Sequence, residues 1–265
     1  AEIAWSGKDA KDWPGFLKRL DALTRHYDYL GVNYARSMFN LDHLVTGNND
    51  TLHVALTCIR PDMEVRYTTD GSEPQATSPL YRDSLVITND VTIKAATFAN
   101  GKQKGKTLTL PLHWNKATAR PILDGNDQTY RLTNGLRGSD KQSDFEWCGW
   151  YGKDAAFTID LGKTESFNRV TIGCIINYGM GVQLPKQITI SASNDNKIFT
   201  QISEKHFTPE EIFREGIHIE DQLFDTTGAT GRYLRIDLKN PGKCPEDHTR
   251  PGQDTWMYID EVIIQ

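Results

Sequence analysis

At the start of the chain the apolar positions recur every three or four residues: Trp13, Phe16, Leu20, Leu23, Tyr27 and Leu30. That spacing lines one face of a helix over 9–30. Ser6 and Asp9 are placed as a capping box, and Gly31 stands where a left-handed cap would end the helix. One amphipathic helix cannot bury its own stripe, so this one must fold onto the downstream chain or leave an apolar patch. From about residue 50 the period becomes two. Leu52, Val54, Leu56 and Cys58 alternate, then Val91, Ile93 and Ala95, and 107–112 reads as a further strand. Asp70-Gly71 marks a tight turn between them. After a connector at 114–125, which carries Pro121, strands are expected at 155–161, 167–176, 187–193, 233–238 and 256–264. Long loops separate them at 134–154, 177–186, 203–230 and 239–255, and such loop ends are where β-sandwiches carry function. The predicted fold is mainly β: a helix, a small immunoglobulin-like sandwich, then a larger sandwich or jelly roll.

Composition narrows the functional classes. The chain has 265 residues, 25% of them charged, and a net charge of −5. No apolar run approaches the roughly 18 residues of a membrane helix. No basic stripe offers itself to a nucleic-acid backbone, so neither partner is expected. The four cysteines (Cys58, Cys148, Cys174, Cys244) lack CxxC spacing, and the histidines show no metal-ligand pairing. Cys58 and Cys174 alternate with apolar neighbours and read as buried free thiols. Gly179-Met180-Gly181 lacks the third glycine of a dinucleotide loop. Asn49-Asp50-Thr51 is a glycosylation sequon, a common chance match. Asp260-Glu261 sits in a terminal strand, where neighbours point to opposite faces and cannot flank one glycosidic bond. Asp144 and Glu146 could share a face but lie in a loop without a general-acid environment. No autonomous catalysis is expected. The chain opens at Ala1 without an initiator Met or charged leader, which reads as a processed protein or an excised fragment.

Three segments resemble known families. Ala1-Glu2-Ile3-Ala4-Trp5-Ser6, Asp12-Trp13, Phe16-Leu17-Lys18-Arg19-Leu20 and Leu30-Gly31-Val32-Asn33-Tyr34 resemble the end of the catalytic barrel of family 20 glycoside hydrolases, the β-N-acetylhexosaminidases. Arg66-Tyr67-Thr68-Thr69-Asp70-Gly71-Ser72-Glu73-Pro74, with Ser78-Pro79-Leu80-Tyr81, looks like the C-terminal sandwich of chitobiases and hexosaminidases. Leu132–Gly138, Ile159-Asp160-Leu161-Gly162, Ser191–Asp195, Arg232-Tyr233-Leu234-Arg235 and Asp260-Glu261-Val262 resemble the discoidin (coagulation factor 5/8 type C) fold, called a family 32 carbohydrate-binding module in glycosidases. These matches imply a barrel remnant at 1–40, the chitobiase-type sandwich at 41–113, and a connector plus discoidin-like module at 114–265.

The resemblance also implies site residues. A structural calcium would take the Arg131 and Leu136 carbonyls with Asn134, Ser139 and Glu261 by side chain, all oxygen donors as a hard cation requires. Asn134 stands where many relatives have Asp, which removes a charge. Sugar recognition needs an aromatic face and a few fixed polar groups, and the loops offer Trp150, Tyr151, Tyr178, His248, Arg250 and Trp256. Asp144, Glu146 and Asp247 lie nearby in sequence. Trp147 and Trp256, beside strand edges, read equally as core or platform. Cysteines at positions 148 and 244, where the family usually carries other residues, imply a bond pinning two loops. The leading expectation is a non-catalytic C-terminal region of a secreted, periplasmic or cell-surface hexosaminidase, targeted to galactose- or N-acetylhexosamine-containing glycans. The alternative is a structural spacer that packs on the absent catalytic barrel or a second subunit.

Overall fold

A computed structural model describes residues 7–48 and 50–265. Ser6 of the expected capping box, the 1–6 stretch of the barrel resemblance and Asn49 of the sequon lie outside the described residues. The helix α1 runs Trp13–Leu30, not from residue 9; a 3-10 turn at Lys8–Ala10 precedes it. Asp12 is the cap, accepting the Gly15 N–H at 3.0 Å, and Pro14 starts the first turn, where its missing N–H costs nothing. Gly31 closes the helix at φ 66, donating to the Asp28 and Tyr27 carbonyls. The stripe is not absorbed. Trp13, Leu23 and Leu30 are exposed and Thr24 is the buried residue of the helix. Ion pairs hold α1 to the first sandwich, Arg60 to Asp21 at 3.0 Å and Lys104 to Asp28 at 3.2 Å.

That first sandwich packs β1 (Leu41–Asn48), β2 (Thr51–Cys58) and β4 (Leu85–Ile87) against β3 (Glu64–Thr68), β5 (Val91–Ala99), β6 (Lys102–Gln103) and β7 (Leu108–Leu112). Its core is the alternating face expected from the sequence, with Val45, Leu52, Val54, Ile93, Ala95 and Leu112 facing inward. Gly71 adopts φ 76 in the turn after β3, and Tyr81 returns to donate its N–H to the Val65 carbonyl at 2.8 Å.

The second sandwich is one six-stranded sheet folded over on itself. Its order is β11 (Thr200–His206), β10 (Gln187–Ser193), β12 (Ile217–Lys239), β9 (Ala155–Asn177), β13 (Trp256–Ile264) and β8 (Cys148–Tyr151). The strands expected at 155–161 and 167–176 are one strand. Likewise 203–230, expected as a loop, holds the end of β11, a one-turn helix α2 (Pro209–Ile212) and the first half of β12. Residues 233–238 of β12 pair with 155–160, and 217–225 pair with 169–177, with register breaks between Asp225 and Ala229 and between Gly231 and Tyr233. At the fold-over, Gly162 and Gly228 both take φ 81. The two layers therefore close on a single core that includes Phe157, Ile159, Ile172, Ile190, Leu234, Ile236 and Ile259.

The sandwiches are fused, not strung on a linker. Ala119 and Leu136, from the second segment, complete the core of the first. Gly47 is required here, because a Cβ would stand 2.6 Å from the Ala119 Cα. The His113 N–H donates to the Gly135 carbonyl at 3.0 Å, and His43 meets Glu146 at 2.9 Å. The connector itself is built in: the Lys116 N–H donates to the Ile264 carbonyl at 3.2 Å, and Ile122 bridges Ile159.

Candidate functional site

Strands β13 and β8 form one edge of the second sandwich, and their alternation sorts the candidate aromatics by face. Cys148 and Trp150 point into the main core; Trp150 is 6% exposed and stacks on Phe157 at 6.2 Å. A buried indole cannot meet a sugar, so Trp150 leaves the candidate set. Tyr151, Trp256 and Tyr258 point the other way. Tyr151 is 46% exposed and leans on Trp256 at 4.8 Å, which stacks on Tyr258 at 5.4 Å. Opposite Tyr258 stands Gly149, where a Cβ would come within 2.3 Å of the ring. Beneath this row lies a small second apolar cluster of Trp147, Ile175 and Val182. Trp147 is thus core, while Trp256, which packs against it, stays half-buried.

Two loops border the aromatic row. The Trp256 N–H donates to the Gly181 carbonyl and the Gln183 N–H to the Trp256 carbonyl, both at 2.9 Å. Tyr178, half-buried, packs on His248 with ring centroids 4.0 Å apart. His248 is itself 4% exposed, so it too is structural. Its Nδ1 accepts the Arg250 N–H at 2.9 Å, which leaves Nε2–H to donate to the Gln183 carbonyl oxygen at 3.1 Å. Burial holds this imidazole below its ordinary pKa, in the neutral form. Arg250 ties the loops together through the Gly179 carbonyl at 3.0 Å. Among the aromatic candidates the edge thus brings Tyr151 and Trp256 together, with Tyr178 and Arg250 on the bordering loops.

The expected Cys148–Cys244 bond does not form; all four cysteines are free. Cys148 faces the main core, whereas Cys244 lies in the 239–255 loop against Gly181. Burial pushes the Cys148 thiol up to about 12.

Asp260 and Glu261 do not point to opposite faces. A register break between Ile259 and Val262 interrupts the alternation, and both carboxylates turn toward the 134–138 loop. Asp260, 0% exposed, accepts Arg137 Nε at 2.8 Å and the Gly138 N–H at 2.9 Å. Arg137 also binds Asp221. Glu261, 2% exposed, accepts the Gly135 N–H at 3.2 Å through each oxygen and the Asn115 amide at 3.4 Å. Burial pushes Glu261 well above the usual carboxylate range, with the Asp260 charge adding to it. Asn134 accepts the Leu136 N–H at 2.9 Å and donates to Glu146 at 2.7 Å. Ser139 lies at the exposed end of the loop, where its N–H donates to Asp144 at 3.2 Å. Arg131 is half-buried and donates to the Trp147 carbonyl at 3.1 Å. Of the expected calcium ligands, Asn134, Leu136 and Glu261 meet at this loop, and Ser139 stands away from them. Asp144 and Glu146 serve the same loop, Asp144 by accepting the Glu146 N–H at 3.1 Å. Asp144, Glu146 and Asp260 are committed to backbone and side-chain partners, an arrangement that anchors a loop, whereas Glu261 has N–H donors and no ion-pair partner among the described residues. An aromatic row with a polar border is instead suited to the C–H face and hydroxyls of a pyranose.

Tyr258 and Gln183 are not singled out by the sequence. Tyr258 is legible there, lying two positions from Trp256 on a strand and therefore on its face. Gln183 carries no signal, since its contact with His248 spans 65 positions.

Known proteins share parts of this architecture. A family model described as F5/8 type C domain matches residues 113–251, and one described as chitobiase/beta-hexosaminidase C-terminal domain matches 45–109. A putative beta-glucuronidase of Formosa agariphila is 31% identical over 88 residues, 33% of this chain and 7% of that protein. The chain thus spans a small part of the length of that curated relative. Among solved structures, the C-terminal domain of a Bacteroides fragilis chitobiase is 15% identical, covering 51% of this chain and 77% of that one with a TM-score of 0.31. A chitosan-binding module from Paenibacillus sp. IK-5 is 16% identical, with 58% and 99% covered and a TM-score of 0.36. A Streptococcus pneumoniae fucose-binding module is 14% identical, with 57% and 97% covered and a TM-score of 0.35.

Proposed function

The chain belongs to the F5/8 type C domain family through residues 113–251, and from that premise we propose that its second sandwich is a carbohydrate-binding module that holds a β-N-acetylhexosaminidase near its glycan. The chain is then the non-catalytic region of that enzyme, with α1 as the last helix of the barrel, working outside the cytoplasm. The observation that carries the reading is the row Tyr151–Trp256–Tyr258 on an outward face, bordered by Tyr178 and Arg250. A shallow face with one or two rings and few hydrogen bonds binds weakly, on the order of millimolar or about −4 kcal/mol. Galactose- and N-acetylhexosamine-terminated glycans are the expected ligands. On a glycan array, the full chain should bind such glycans and Tyr151→Ala should lose the signal while remaining folded. A folded protein silent across the array would favour the spacer reading, for which the exposed stripe of α1 would be the packing surface.

A structural calcium belongs to the same proposal. Asn134 and Glu261 by side chain, with the Leu136 and Arg131 carbonyls, would hold it at the 134–138 loop. The supporting observation is the buried Glu261 carboxylate, whose neighbouring cation Arg137 is bound to Asp260 and Asp221. Such an ion supplies positive charge and fixes the loop. Millimolar calcium should raise the Tm of the native chain and leave that of Glu261→Gln unchanged; equal behaviour of both would remove the ion from the proposal.

A further inference from the structure

At the far end of β13 from the aromatic row, the two sandwiches enclose a cleft. Two hollows, about 310 and 200 Å³, share Asp50 and Arg120. The larger reaches the lower end of ligand-site volumes, about 300 Å³. Gly47, Ala119 and Asp160 line it, and Trp114, Lys116 and Glu165 line the smaller one. We propose that this cleft is a second saccharide subsite, for a neutral sugar unit, separate from the aromatic face and resting on the reading that the chain binds glycans.

Four features carry the proposal. Trp114, half-buried against the first core, lines the smaller hollow and places an aromatic residue at its wall. Arg120 is held at 2.6 Å from Asp50, with its side chain 23% exposed, so a guanidinium fork is already oriented at the cleft before any ligand arrives. The lining acids are each paired within the protein, Asp50 with Arg120, Glu165 with Lys163 at 3.1 Å and both oxygens of Asp160 with Arg232 at 2.8 and 2.9 Å, and the Lys116 ammonium donates to the Ser166 carbonyl at 2.6 Å. Such internally paired groups beside an aromatic residue suit hydroxyls, not a phosphate or a uronate. Finally, the cleft is preorganised by the fused sandwiches. Ala119 is kept at φ 63, a conformation costly to a side chain with a Cβ, by its burial against Gly47 and by its N–H bond to the Thr133 carbonyl at 2.8 Å.

The placement has a consequence for binding. Trp256 opens β13, and Lys116 bonds to Ile264 at its end. Eight steps of roughly 3.3 Å put the two ends of β13 at most about 26 Å apart. Two weak sites toward these ends on one rigid body would engage a glycan-bearing surface with avidity that neither has alone.

The test is an NMR titration of the full chain with N,N′-diacetylchitobiose and, separately, lactose. The indole N–H signals of Trp114 and Trp256 are followed, assigned with Trp114→Phe and Trp256→Phe. Both indoles are expected to shift, with Arg120→Gln weakening the Trp114 response roughly tenfold, the ~1.4 kcal/mol of a charge-assisted bond, and sparing that of Trp256. Asp50→Asn, at a 63% exposed side chain, provides a second variant if Arg120→Gln is misfolded. A Trp114 signal that stays still while Trp256 moves, or that moves in both variants as in the native chain, overturns the subsite. Movement of Trp114 with a stationary Trp256 supports the cleft and instead overturns the aromatic face. If neither moves with either sugar, both readings fall.

Discussion

Glu261 shows how a single side chain can set a stability profile. Burial raises its folded pKa well above the usual 4.5, so its contribution is fully present below that unfolded value and is lost as pH rises through the folded one. Without divalent ions, Glu261→Gln should therefore be the more stable protein at pH 8 by about 1–3 kcal/mol, the cost of an ill-paired buried charge, with the gap closing toward pH 4. Melting curves at the two pH values check this, and a gap independent of pH would mean the carboxylate is not the cause. His248 acts with the opposite sign. Burial lowers its pKa from 6.5, so below that value the unfolded chain takes up a proton that the folded one refuses, and stability falls as the pH drops. Its ring signals in a proton NMR titration should pass through pH 6.5 without the usual midpoint. The cysteines offer a third check. Four thiols should titrate with a disulfide reagent after denaturation under non-reducing conditions, whereas folded Cys148, with its thiol pushed up to about 12, should resist alkylation.

At the scale of elements, the aromatic row depends on the absence of a side chain in the neighbouring strand. Gly149→Ala would place a methyl within 2.3 Å of the Tyr258 ring. The expected cost is about 1–3 kcal/mol, together with loss of the glycan signal as the row shifts. Stability unchanged by this substitution would show that β8 and β13 yield easily. The helix behaves differently. Asp12→Ala removes the cap of α1, worth about 1 kcal/mol of helix, yet the main unfolding transition should hardly move, because most of the stripe of α1 lies outside either core. Amide exchange should report the difference, with α1 opening before the strands. Period and caps made α1 legible in sequence, but its start was placed too early because Ser6 and Asp9 have capping-box spacing, whereas the cap that forms is Asp12, just ahead of Trp13-Pro14. The first half of β12 was not legible. Ile217 and Ile219 alternate, but Ile217, Ile219 and Leu223 are exposed while Gln222 and Thr226 are buried, so polarity does not track the buried face and only the short 217–220 stretch carries a strand pattern.

For the molecule as a whole, the decisive feature is the shared core. Leu136 lies 3% exposed among residues of the first sandwich, although the second segment supplies it. Leu136→Ala should cost about 2–5 kcal/mol and lower one common melting transition. Two separated calorimetric transitions in the native chain would mean the sandwiches fold independently. Local rules written into the sequence determined the mainly β class, the helix, most strands and the turn glycines, because propensity, period and φ > 0 act over a few residues. The pool of loop aromatics was legible for the same reason. Only the tertiary structure decided which of them face outward, since a residue's side depends on strand register and on which layer covers it. Thus Trp150 and His248 went inside while Tyr258 came to the row. It also brought Asp260 and Glu261 together through one irregular step in β13, and set Asp50 against Arg120 across the two sandwiches. Those pairings join positions far apart in the chain, and packing alone selects among such partners.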